Sequence, residues 1–102
     1  MSIDSIPHTD PSTANEVTGM LILTQALKRV GIDTMYGLVG IPVTEFAYIA
    51  QGEGIKFVGF RHEQQAGMAA ATHGFLTKTP GVLHTVSSLG FLNGLTATAN
   101  AT

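Results

Sequence analysis

A single carboxylate, Glu63, stands in the stretch Phe60-Arg61-His62-Glu63-Gln64-Gln65-Ala66-Gly67-Met68-Ala69-Ala70-Ala71, where an apolar segment gives way to a run of very small residues. The chemistry open to such a group is proton exchange. Open α/β sheets bind ligands at the carboxyl ends of their parallel strands, and a Glu buried at such a junction can exchange a proton with a bound molecule. The plainer reading is that Glu63 complements the positive end of a helix macrodipole. Spacing alone leaves both open.

Other chemistries find little support. Gly37-Leu38-Val39-Gly40 follows an apolar segment but is not the G-x-G-x-x-G fingerprint, and no G-x-x-x-x-G-K-[ST] occurs. His8, His62, His73 and His84 form no H-E-x-x-H or close pair, and His73 in an Ala-rich run reads as a packed or solvated residue, so these residues predict no metal site. Ser87 and Ser88 lack a G-x-S-x-G elbow and read as a polar loop that caps the next helix.

The composition narrows the classes further. The chain has 102 residues, enough for one small domain. Five Lys and Arg against seven Asp and Glu offer no basic stripe for nucleic-acid phosphates, so no nucleic-acid partner is expected. With no Cys, neither a disulfide framework nor a thiolate metal site can form, which fits a reducing, cytoplasmic compartment. Charged residues make up 12% and hydrophobic residues 44%, so much of the surface is expected to meet a partner. No run approaches the roughly 18 apolar residues that span a bilayer, and the first Lys is Lys28, so neither a membrane span nor an export signal is expected.

The elements that must position Glu63 follow from periodicity and punctuation. Residues 1–12 mix Asp, Ser, Thr, His and Pro without period and read as a mobile tail, which leaves 13–102 as the folded part. Thr13-Ala14-Asn15-Glu16 has capping-box spacing, and Met20, Leu23, Leu27 and Val30 then recur at helical intervals until Gly31. Thr34 to Val39 reads as a strand apolar on both faces, ended by Gly40-Ile41-Pro42. Val43, Phe46, Ala47 and Ala50 mark a second helix closed by Gly52 and Gly54, and Ile55 to Phe60 a second strand. From Glu63 to about Thr77 a third helix carries Gly67, Ala70, Ala71 and Gly74 on a face without bulk, suited to close approach by a sheet or helix. After the turn Thr79-Pro80-Gly81, Val82 to Val86 reads as a third strand and Phe91 to Ala101 as a last helix.

Helix and strand alternate three times before the last helix, which predicts an α/β fold, a doubly wound parallel sheet with flanking helices. Its strands would deliver Gly40-Ile41-Pro42, Arg61-His62-Glu63 and Ser87-Ser88-Leu89-Gly90 to one edge.

Three of these runs carry a resemblance. Ile32 to Thr44, with Val39-Gly40-Ile41-Pro42 inside it, Phe60 to Gly67, with Arg61-His62-Glu63-Gln64, and Gly90-Phe91-Leu92-Asn93-Gly94-Leu95-Thr96 resemble the pyrimidine-binding domain of thiamine diphosphate-dependent enzymes. Within that superfamily the similarity is greatest to the oxalyl-CoA decarboxylases, and it runs from about Thr18 to the last residue. The resemblance implies that Glu63 is catalytic and hydrogen-bonds a ring nitrogen of the cofactor's aminopyrimidine. It further implies that Val39, Gly40, Pro42, Gly90 and Asn93 line the cofactor and that Ile41 shapes the substrate pocket. Pro42 as a purely structural turn and Asn93 as a surface residue stand beside those roles.

The implied reaction converts oxalyl-CoA to formyl-CoA and carbon dioxide in a homo-oligomer, dimer or tetramer, that acts on a CoA thioester in oxalate catabolism. The magnesium that accompanies thiamine diphosphate would find its ligands outside this chain. Two departures stand out. Leu89 replaces a Pro common in the family's Ser-Ala-Pro-Gly or Ser-Gly-Pro-Gly turn, and the chain stops within a pyrimidine-binding domain, so 13–102 reads as a partial one. The alternatives are a 2-hydroxyacyl-CoA lyase or other thiamine diphosphate-dependent carboligase or lyase, and a truncated product without catalytic activity.

Overall fold

The computed structural model describes residues 18–102. The expectations for 1–12 and for the Thr13 to Glu16 box lie outside the described residues. The order is α1 (Gly19–Arg29), β1 (Thr34–Gly37), α2 (Thr44–Gly52), β2 (Lys56–Gly59), α3 (Glu63–Thr77), β3 (Leu83–His84) and α4 (Leu89–Ala101). All strands are parallel in the order β2-β1-β3.

Helix ends follow local chemistry. The cap of α1 is Thr18, whose Oγ1 accepts from the Leu21 amide at 3.2 Å. Gly31 ends it at φ +90°, with its amide donating to the Lys28 carbonyl and the Ile32 amide to that of Leu27, a Schellman stop that a Cβ would disfavour. Gly54, at φ +95°, does the same for α2.

The last helix begins two residues before the expected Phe91, at Leu89. Ser88 occupies its cap position but makes no side-chain cap hydrogen bond, so the expected serine cap is corrected. Ser88 adopts φ 61° and ψ −113°, not the extended backbone usual at a capping residue.

The strands are shorter than the apolar runs that announce them. Only Tyr36 and Gly37 find register partners in β3, Leu83 and His84, although the Tyr36 amide also donates to Val82 and the Leu38 amide to His84. Side chains alternate across the sheet. Met35, fully buried, packs with Ala50 and Ile55, and Leu27, Phe46, Phe57 and Val82 close around them, so α1 and α2 cover that face. Tyr36 points the opposite way and shares a 2.8 Å hydrogen bond with His73 of α3. Leu83, paired in register with Tyr36, meets α3 and α4 at Gly67 and Gly94. The sheet is therefore covered on both faces, as expected for a doubly wound fold.

This winding opens a crevice. Neighbouring strands β1 and β3 send their next helices, α2 and α4, to opposite faces, and their carboxyl-terminal loops part where such sheets bind ligands.

Candidate active site

His62 starts α3 from an extended conformation, and its Nδ1 accepts from the Gln64 amide at 3.0 Å. This imidazole cap fixes Glu63 as the first helical residue, an arrangement the sequence pattern did not announce because His is an unusual cap. Glu63 turns inward and is 7% exposed. Its Oε1 accepts from Asn93 Nδ2 of α4 at 3.2 Å. Among the described residues Oε2 accepts from no side chain, and no buried side-chain oxygen lacks a partner, so Oε2 retains solvent access.

Two glycines on α4 let the helix pass this close. A Cβ on Gly90 would lie 2.7 Å from Val86 Cγ1 and 3.1 Å from Glu63 Oε2. At Gly94 it would lie 2.9 Å from Leu83 Cδ2 and 3.9 Å from Glu63 Cβ. Asn93, offered above as a possible surface residue, is half-buried and bonded to the carboxylate.

The turn after β1 joins through Val86. The Cβ position of Gly40 lies 3.4 Å from Val86 Cβ, so Val86 separates Gly40 from Gly90 and ties the β1 and β3 loops together. The Gly40 carbonyl accepts from the Val43 amide at 2.7 Å and the Thr44 amide at 3.0 Å, which starts α2. The Ile41-Pro42 bond is cis. Val39 and Pro42 are exposed and Ile41 is 90% exposed, so among the described residues nothing builds a pocket wall with Ile41. The structure thus brings Glu63, Gly90 and Asn93 into one cluster, links Gly40 to it, and leaves Val39, Ile41 and Pro42 at its open rim.

The family follows from a further finding. The family model "Thiamine pyrophosphate enzyme, N-terminal TPP binding domain" matches residues 17–102. The chain belongs to this thiamine pyrophosphate enzyme family. Among its relatives in that family, oxalyl-CoA decarboxylase of Escherichia coli (strain K12) is 66% identical over 84 residues, 82% of this chain and 15% of the relative. 2-Hydroxyacyl-CoA lyase of Arabidopsis thaliana is 42% identical over 90 residues, 88% of this chain and 16% of that protein. Human 2-hydroxyacyl-CoA lyase 1 is 46% identical over 86 residues, 84% of this chain and 15% of that protein. The chain thus spans about 15% of the length of the curated relatives it matches.

The residues present fit the family's cofactor. A carboxylate oxygen that accepts from no side chain among the described residues lies beside a glycine that leaves its approach open, at the carboxyl ends of parallel strands. Among the described residues no group of three or more His, Asp or Glu could hold a metal ion. No helix of the described residues is long and apolar enough to cross a membrane. A groove of about 620 Å³ between the far halves of α3 and α4, lined by Gly67, Ala70, Gly81, Leu83 and Ala97, holds no titratable side chain and lies apart from Glu63.

Proposed function

We propose that this chain is the N-terminal part of a thiamine diphosphate-dependent oxalyl-CoA decarboxylase. The observation that carries the reading is the buried Glu63, held through Oε1 by Asn93 and open at Oε2. The 66% identity to a decarboxylase, against 42% and 46% for two lyases, favours oxalyl-CoA over a 2-hydroxyacyl-CoA as substrate.

Bound thiamine diphosphate supplies the nucleophilic carbon and the electron sink that loss of carbon dioxide from an oxalyl thioester requires. Glu63 gives or takes a proton at Oε2 toward a ring nitrogen of the cofactor. Asn93 holds the carboxylate in one orientation, which spares reorganisation when the proton moves. Gly90 keeps the approach to Oε2 clear of a side chain. Val39, Gly40 and Pro42 border the cofactor, and Ile41, exposed here, meets the substrate once another segment faces it. In the net reaction the bond between the two oxalyl carbons breaks, carbon dioxide leaves, and a proton takes its place to give formyl-CoA.

The remainder of the protein supplies magnesium ligands and a homo-oligomeric, dimeric or tetrameric, setting, in a cytoplasmic enzyme of oxalate catabolism. The test is to supply the full-length protein with thiamine diphosphate, Mg²⁺ and oxalyl-CoA and follow formyl-CoA. Cleavage of a 2-hydroxyacyl-CoA with no turnover of oxalyl-CoA would replace this reading with the lyase, and inactivity on both would leave a non-catalytic product.

A further inference from the structure

His84 closes β3 with its ring buried, at 6% exposed. Nδ1 lies 3.2 Å from the carbonyl oxygen of Leu38, and Nε2 lies 3.2 Å from that of Val43. Both partners are acceptors only, so the ring is the donor. A neutral imidazole donates to one carbonyl, and the imidazolium donates to both. The ring has little freedom to leave: Phe46 of α2 stacks on it with centroids 5.8 Å apart at 20°, and Phe57 of β2 meets it edge-on at 5.5 Å and 84°.

The two carbonyls flank residues 39–42, the turn that leads from β1 into α2. The His84 main chain adds a third tie, since its carbonyl accepts from the Leu38 amide at 3.2 Å. One residue of β3 therefore grips the turn at both ends, although His84 lies 46 positions from Leu38 and 41 from Val43. Between the grips, Val39, Ile41 and Pro42 stand exposed and receive little support from side-chain packing. A turn whose ends are pinned loses less conformational freedom when a ligand settles against it, and that saving appears as affinity.

We propose that His84 is a positioning residue that fixes the 39–42 turn and thereby sets the affinity for thiamine diphosphate without touching it. The proposal rests on the functional reading above for the statement that this turn borders the cofactor.

The test uses the full-length protein, unsubstituted and as His84→Leu, which removes both ring nitrogens at similar volume, and His84→Gln, which restores an amide donor. Hydrogen–deuterium exchange over residues 38–47 is read without cofactor, and thiamine diphosphate affinity is read by calorimetry with Mg²⁺. His84→Leu should speed exchange in that segment and weaken cofactor binding by about tenfold each, with a smaller loss of turnover at saturating cofactor. His84→Gln should recover part of both.

A folded His84→Leu protein with unchanged exchange or unchanged affinity overturns the proposal. If His84→Leu does not fold, ¹⁵N-histidine labelling of the unsubstituted protein decides. A His84 ring N–H protected from solvent exchange supports the grip, and one that exchanges at the solvent rate overturns it. An unsubstituted protein that binds no thiamine diphosphate instead overturns the functional reading itself, a result separate from any effect of His84.

Discussion

Asn93 Nδ2 donates to Glu63 Oε1 at 3.2 Å, so one oxygen of the carboxylate is committed to α4, and among the described residues the other accepts from no side chain. This division of labour makes the first prediction specific. Glu63→Gln keeps the shape and a hydrogen-bonding amide but cannot exchange a proton. Turnover of oxalyl-CoA by the full-length protein should fall by about 10²- to 10⁴-fold, while circular dichroism and the melting midpoint stay near those of the parent. Turnover within about threefold of the parent would sink the assigned proton role, given that general acid–base catalysis contributes far more than that.

Asn93→Ala should lower turnover less than Glu63→Gln does, because it frees the carboxylate without removing it. Loss of a half-buried hydrogen bond costs about 1 kcal/mol of stability. A double-mutant cycle in denaturant checks the pairing: the cost of Asn93→Ala should shrink when Glu63 is already Ala. Strict additivity would mean that the 3.2 Å contact carries no energy.

Gly90 and Gly94 differ in what surrounds them, and their Ala variants should differ accordingly. At Gly90 the new methyl would meet Val86 Cγ1 at 2.7 Å, Glu63 Oε2 at 3.1 Å and Thr85 Cβ at 3.6 Å, so relief requires a shift of the stiff, β-branched Val86, of α4 or of the carboxylate. Gly90→Ala should cost about 1–3 kcal/mol of stability and reduce turnover by about tenfold or more, as expected when a catalytic group is displaced. At Gly94 the tight contact is Leu83 Cδ2 at 2.9 Å, the far end of a side chain that can rotate. The helix propensity gained from Ala, about 1 kcal/mol, should offset that adjustment and leave Gly94→Ala near neutral. Equal losses at the two positions, measured as denaturant midpoints and kcat, would contradict the geometry.

Ser88 holds φ 61° and ψ −113°, a region that favours glycine, and gains no cap hydrogen bond there. Ser88→Gly should relieve this strain and raise stability by about 1 kcal/mol after the entropy of the added glycine is subtracted. A lowered melting temperature in the full-length protein would show that Ser88 contributes an interaction beyond its backbone.

Local signals carried most of the fold. Gly31 and Gly54 ended their helices because each position needs a left-handed backbone, and that demand is written in single residues. The apolar runs announced each strand, and the small face of α3 at Gly67 did receive Ala97 of α4, so close that a Cβ added at Gly67 would lie 2.5 Å from that of Ala97. Glu63 was legible as a candidate because a lone carboxylate between an apolar run and a small-residue helix is uncommon. The start of α1 at Thr18 was not, since Thr13 and Thr18 are both competent caps and spacing does not choose between them.

The sequence by itself determined the class of fold, the order of its elements and the residue that could exchange a proton, because periodicity, helix stops and residue type act within a few positions. The tertiary structure decided which groups serve that residue. Asn93 lies 30 positions from Glu63, and His84 lies more than 40 from either carbonyl it faces. Those distances in sequence close only when β3 pairs beside β1 rather than β2, which sets α4 over Glu63 and His84 against the ends of the β1 turn. Strand order is a property of the whole packed sheet, fixed by burial on both faces at once, and no local pattern of residues encodes it.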